Sequence, residues 1–217
     1  MSAAAEFRQC RAGELAADRI IHIIGILAGV VGAVMLMGIA ADIVDLPTFS
    51  ATLLYSVCLL TMLGCSAAYN LATNASRLEF LRRLDHAAIF LMIAGTYTPF
   101  TTCRLQGASA IGMTTAVWTG ALTGAVIKLI CPSRIERASV AAYLGLGWII
   151  VVGARPMLGS VDVWTAALIA IGGVVYSIGV GFYLWGKLPF QQAIWHGLVL
   201  MAASCHYAAV LHGVVLA

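Results

Sequence analysis

Seven apolar stretches joined by short polar loops fill almost the whole chain, and this leaves little room for anything but an integral membrane protein. A bilayer core needs about 20 apolar residues per helix. Each crossing segment must satisfy its own backbone, because lipid offers no partner for an N–H or C=O group. The pattern places spans at 18–40, 51–73, 85–102, 108–130, 138–155, 162–185 and 191–214. Hydrophobic residues make up 62% of the 217 and charged residues 10%, whereas a soluble domain carries about 25% charge. The fold class read from this is all-α: a single domain over residues 1–217, a bundle of seven transmembrane helices. Pro47, Pro132, Pro156 and Pro189 fall between spans, while Pro99 lies in the outer part of the third and is expected to kink it.

Orientation follows from Lys and Arg. Arg8, Arg11, Arg19, Arg77, Arg82, Arg83, Lys128, Arg134, Arg137 and Lys187 fall on one side, and only Arg104 and Arg155 on the other. The N-terminus is therefore expected in the cytoplasm and the C-terminus outside. The asymmetry accounts for the net charge of +3 without a nucleic-acid surface. Charges at Glu6, Arg8, Arg11, Glu14 and Asp18 argue against a cleavable signal peptide. Cys10, Cys58, Cys65, Cys103, Cys131 and Cys205 form no C-x-x-C pair and read as small apolar residues.

Small residues recur every four positions: Gly25, Gly29 and Ala33; Gly120 and Gly124; Gly173, Ser177 and Gly181. Such faces let helices approach closely in lipid. They read first as packing within the bundle, with a homodimer seam as the alternative.

Polar residues inside the spans gather at one depth. Asp18 and His22 lie one turn apart at the start of span one, Ser66 and Asn70 toward the end of span two, Asp85 and His86 at the start of span three, and Gln192 and His196 at the start of span seven. Four helices thus carry their strongest polar groups in one layer, within about 10 Å of the inner surface at about 1.5 Å per residue. Polar side chains in lipid are costly and should face inward and pair. Each alone also has a plain reading, as a snorkelling group or as an anion near a helix N-terminus. Ser, His and Asp together could form a nucleophile, base and orienter, or hold Zn²⁺ through His; spacing does not choose between them. His206, nearer mid-bilayer, could extend the polar path, and His212 reads as interfacial.

Four segments carry a family resemblance: ELAADRIIHIIG from Glu14, SAAYN from Ser66, LDHAAIFLMIAGTYTP from Leu84 and AIWHGLVLMAASCHY from Ala193. The chain resembles bacterial hemolysin III-type proteins of the progestin and adipoQ receptor superfamily. The resemblance implies seven spans and a zinc site near the cytoplasmic face. That site comprises Ser-x-x-x-His on span two, Asp at the start of span three and His-x-x-x-His on span seven; some members are implicated in hydrolysing lipid amides such as ceramides. Ser66, Asp85 and His196 match this motif. Asn70 and Gln192 stand where two of the three metal-binding histidines belong.

Neutral amides are much weaker zinc donors than imidazole. The expectation is therefore a pocket without a cofactor, in which Asn70 and Gln192 hydrogen-bond His196, Asp85 and Ser66; zinc held by His196, Asp85 and His22 is the weaker alternative. The favoured function is binding or sensing of a membrane lipid or small amphiphile. A lipid amide or ester hydrolase using Ser66, Asp85 and His22 stands second. A pore or transporter with Thr96, Thr98 and Pro99 in an outer vestibule stands third, because the outer halves of spans two, four and seven look too apolar for an open channel.

Overall fold

In the computed structural model of the chain, described over residues 12–130, 136–151 and 159–217, the seven expected helices are present and no strand occurs among the described residues. They are α1 (Ala12–Ile43), α2 (Leu46–Asn70), α3 (Ala75–Cys103), α4 (Gly107–Ile130), α5 (Glu136–Gly147), α6 (Val163–Leu184) and α7 (Gln191–Val210), the last continued by a π-helical turn over Leu211–Val215. Among the described residues, α1, α2, α4, α6 and α7 are long and apolar enough to cross a membrane. Arg8, Arg11, Cys10, Cys131, Pro132, Arg134, Arg155 and Pro156 lie outside the described residues. Cys58, Cys65, Cys103 and Cys205 are free thiols.

Sequential neighbours pack together, α1 on α2, α2 on α3, α3 on α4 and α6 on α7, and α1 packed on α7 closes the bundle. The stripe that α1 turns inward is Asp18, His22, Gly25, Gly29, Ala33, Leu36 and Ala40, steps of three and four residues that keep to one face of a helix of about 3.6 residues per turn. Its other face, including Ile20, Ile24, Leu27 and Val34, is exposed in the isolated chain, as a lipid-facing surface must be. Several of the small residues sit at helix crossings within the chain, whereas Gly181 is exposed and meets no neighbour among the described residues. Gly29 meets Leu63 of α2, Gly25 meets Leu63 and Leu200, Gly124 meets Phe90 and Gly120 meets Leu146.

Two expected boundaries shift. α3 begins at Ala75, ten residues before the apolar window, because Asn74 caps it by accepting from the Ser76 N–H and the turns over Arg77–Arg83 are held by Glu79 pairing with Arg82 and Arg83. Asp85 therefore sits three turns inside a helix, and the reading of it as an anion at a helix N-terminus fails. Pro99 lies within α3, which continues to Cys103.

The second shift is in the fifth span, where α5 stops at Gly147 and a 3₁₀ turn follows over Ile149–Val151. A break in regular backbone at membrane depth is tolerated only where protein supplies the missing hydrogen bonds. Tyr97 of α3 does so: its hydroxyl donates to the Gly147 carbonyl at 2.6 Å and accepts from the Ile150 N–H at 3.1 Å. Tyr97→Phe should leave both backbone groups unpaired, at about 1–3 kcal/mol each. The expected result is a lower thermal unfolding midpoint in detergent with protease cleavage appearing near residue 148; an unchanged midpoint and cleavage pattern would show that water replaces the hydroxyl freely.

At the opposite end from Asp18, Asp162 caps α6 through the Trp164 and Thr165 N–H groups and pairs with His212. Those bonds, the Thr165 hydroxyl's first among them, bring its carboxyl down to about 2. Arg104 closes the same end, donating to the Gly213 and Val214 carbonyls at the π turn. His212 is thus an end-of-bundle residue, as its sequence position implied. Thr98 and Pro99 are buried, and the Thr98 hydroxyl is spent on the Ala94 carbonyl and the Trp118 indole N–H, so the expected outer vestibule does not include them.

Candidate ligand and metal site

The inward stripe of α1 ends in Asp18 and His22, and both meet other helices there. Asp18 Oδ1 lies 2.6 Å from His196 Nδ1 on α7. His22 Nδ1 lies 2.8 Å from the Asp18 carbonyl one turn back, and His22 Nε2 lies 3.3 Å from Ser66 Oγ on α2. The two imidazoles stand edge to face with centroids 4.4 Å apart. Asp18 and His22 are buried, and the His196 side chain is only 11% exposed.

These contacts assign the protons. A carbonyl only accepts, so His22 Nδ1 carries hydrogen; the one Ser66 hydroxyl proton then has two acceptors within reach, His22 Nε2 and the Asp85 carboxylate. A carboxylate likewise only accepts, so His196 Nδ1–H donates to Asp18. Asp85, buried on α3, faces the Ser66 hydroxyl and the His196 imidazole.

Of the residues singled out in the sequence, Asp18, His22, Ser66, Asp85 and His196 converge. Asn70 and Gln192 line the same cavity. The Asn70 amide donates back to the Ser66 carbonyl of its own helix, so the network around His196 is made by Asp18 rather than by the two amides. The metal-capable set also differs: Asp18, His22 and His196 each offer a ligand atom within 4.8 Å of the others, so Asp18 takes the place expected for Asp85. The sequence did hold a signal for this, since Asp18 and His22 share a helix face at i and i+4.

A cavity of about 530 Å³ opens beside this cluster, between α2 and α3 on one side and α5, α6 and α7 on the other. Ser66, Asn70, Asp85, Gln192 and His196 line its polar end. Met62, Ile89, Trp195 and Val199 are among its apolar walls, and His206 lies further along with its Nε2 on the Ile169 carbonyl. His206 is thus part of the same cavity, as expected. Gly172 makes room for it: a Cβ there would fall 2.4 Å from the imidazole. Asp18 and His22 stand behind this polar end, reached through His196 and Ser66.

An all-helical chain whose long apolar helices bury a polar cluster and a side cavity is an integral membrane protein with an internal site. Residues 17–207 match the haemolysin-III related family, and the chain belongs to that family, within the progestin and adipoQ receptor superfamily. It is 33% identical to a hemolysin-3 homolog of Bacillus subtilis (strain 168) over 195 residues, 90% of this chain and 92% of the relative. It is 40% identical to hemolysin-3 of Bacillus cereus over 128 residues, 59% of this chain and 58% of that protein. A human relative, monocyte to macrophage differentiation factor, is 29% identical over 130 residues, 58% of this chain and 52% of that protein.

The three-histidine zinc set implied by the family resemblance does not fit this chain. Asn70 and Gln192 each offer only a neutral amide oxygen, a much weaker zinc donor than imidazole. Of the histidines in that set only His196 remains.

Proposed function

We propose that this protein holds a membrane amphiphile in the side cavity, head group against Ser66, Asp85 and His196 and apolar portion against Met62, Ile89 and Val199. The observation that carries this is the cavity's uneven lining: Ser66, Asp85 and His196 from three helices gather at one end, while the remaining walls are mainly apolar and aromatic, with Thr96, Ser139 and His206 among their polar members. Its volume of about 530 Å³ lies within the range of small-ligand sites. It suits a single-chain amphiphile or the head portion of a larger lipid. Asp85 accepts hydrogen bonds, so the head group should carry N–H or O–H donors, as amides and alcohols do. The excess of Lys and Arg on this side supports a cytoplasmic position for this end.

The test is lipid analysis of protein purified in mild detergent. Wild type should retain a distinct amphiphile that Asp85→Asn and His196→Ala lose or carry at several-fold lower occupancy. Identical profiles for the three proteins would sink the reading.

One contact favours a second reading, hydrolysis of a lipid amide or ester. Ser66 Oγ lines the cavity and faces His22 Nε2, whose other nitrogen is held by the Asp18 carbonyl with the Asp18 carboxylate 3.7 Å away. That is a nucleophile, a base and an orienting group in order. Turnover of a ceramide-like amide by wild type and none by Ser66→Ala would move the assignment to this reading.

A further inference from the structure

The departure from the family's zinc ligands coincides with a second set beside them. Asp18 and His22 come from α1, which supplies no ligand in the set the resemblance implies. They reach His196 because the inward stripe of α1 ends against α7. All three ligand atoms fall within 4.8 Å of one another. Zinc bonds of about 2.0–2.1 Å bring tetrahedral ligands to about 3.3 Å apart, so small side-chain rotations close the set. Among the described residues the ion pairs of Asp18 are both to histidines, and none joins the neighbouring Asp85 to a Lys or Arg. Two carboxylates beside two imidazoles in an apolar surround favour a divalent cation.

We propose that this chain binds one Zn²⁺ through Asp18, His22 and His196, a site displaced toward α1 in place of the one that Asn70 and Gln192 no longer form. Two imidazoles and a carboxylate are a donor set suited to zinc, with a fourth position left for water or a ligand. The bond from His22 Nδ1 to the Asp18 carbonyl turns its Nε2 outward as an acceptor, as hydrogen bonds behind zinc-bound histidines do. When zinc is bound, His22 Nε2 is a ligand and no longer a base for Ser66. The proposal stands apart from the amphiphile reading, since metal content and lipid content are measured separately.

The experiment uses the full chain in detergent, stripped with chelator and then titrated with Zn²⁺ and, in parallel, Co²⁺. Wild type should retain about one zinc per chain after gel filtration, and cobalt should give the visible ligand-field bands of a four-coordinate nitrogen and oxygen site. His22→Ala and Asp18→Asn should weaken binding by about 100-fold or more, whereas Asn70→Ala and Gln192→Ala should leave stoichiometry and affinity as in wild type. Wild type that stays metal-free at saturating zinc overturns the proposal. So does retention of metal by His22→Ala with wild-type affinity, or its loss in Asn70→Ala and Gln192→Ala, which would put the ion elsewhere. Should the α1 variants fail to fold, the wild-type cobalt spectrum together with the two amide variants still decides: bands unaltered in Asn70→Ala and Gln192→Ala support the site, and their absence in wild type overturns it.

Discussion

In metal-free protein, the double variant Asp18→Leu/His196→Leu is expected to unfold at a higher temperature than His196→Leu alone. Asp18 Oδ1 and His196 Nδ1 are 2.6 Å apart with both side chains 11% exposed. Removing the imidazole leaves the buried carboxylate with only the longer approach of His22 Nδ1 at 3.7 Å, and breaking a buried pair from one side costs up to about 3–5 kcal/mol. The opposite deletion, Asp18→Leu, leaves an imidazole free to be neutral, so its cost should be smaller. Replacing both members with apolar groups of similar size removes the charge along with its partner and is often nearly neutral. The double-mutant cycle should therefore close with a favourable coupling of about 0.5–3 kcal/mol. The readout is the thermal midpoint in detergent with chelator present. Simple additivity of the two single variants would show that solvent reaches the pair and that this end of the bundle is wetter than the packing of α1 on α7 implies.

The bundle was legible in the sequence because apolar run length is a direct consequence of bilayer thickness, and the seven runs translate into seven helices. What failed at the edges failed for local reasons. The start of α3 was hidden because Arg77, Glu79, Arg82 and Arg83 break the apolar window while their own ion pairs stabilise helix. The early end of α5 was hidden because it depends on Tyr97, fifty positions upstream, supplying the hydrogen bonds that regular helix would have made.

The site divides in the same way. Its members were visible as a layer of polar residues at one depth, since cost in lipid singles them out regardless of partner. Their pairing was not, because depth says nothing about rotation. Only the inward stripe of α1 against α7 puts Asp18 on His196, while Asn70 bonds its own helix. The family resemblance drew attention to positions 70 and 192, whereas the cluster that could carry a metal runs through positions 18 and 22.

Adding a single methyl group at Gly95 is expected to be among the most damaging small changes in the chain, out of proportion to its size. A Cβ there would fall 2.5 Å from Cys58 Cβ and 2.8 Å from its sulfur, with the Tyr55 Cα 3.8 Å away. Cys58 Cβ is fixed to the backbone of α2 and no rotamer change can move it, so Gly95→Ala must push α2 and α3 apart. Overpacking of this kind costs about 1–3 kcal/mol and occasionally more, enough to outweigh the gain in helix propensity of about 1 kcal/mol from replacing glycine. Gly29 provides the contrast. Its added Cβ also meets a neighbour, 2.4 Å from Leu63 Cδ1, but that atom is the far end of a flexible side chain that can swing aside. Gly29→Ala should therefore cost less than Gly95→Ala, although the nominal overlap is closer. Because α2 carries Ser66 and α3 carries Asp85, forcing this seam open should also loosen the polar end of the cavity. Gly95→Ala is then expected to lower both the thermal midpoint and amphiphile retention, and Cys58→Gly in the same chain to recover part of each. A Gly95→Ala protein as stable as wild type would mean that the two helices slide past one another cheaply, and that the rigid α2–α3 platform assumed for Ser66 and Asp85 does not exist.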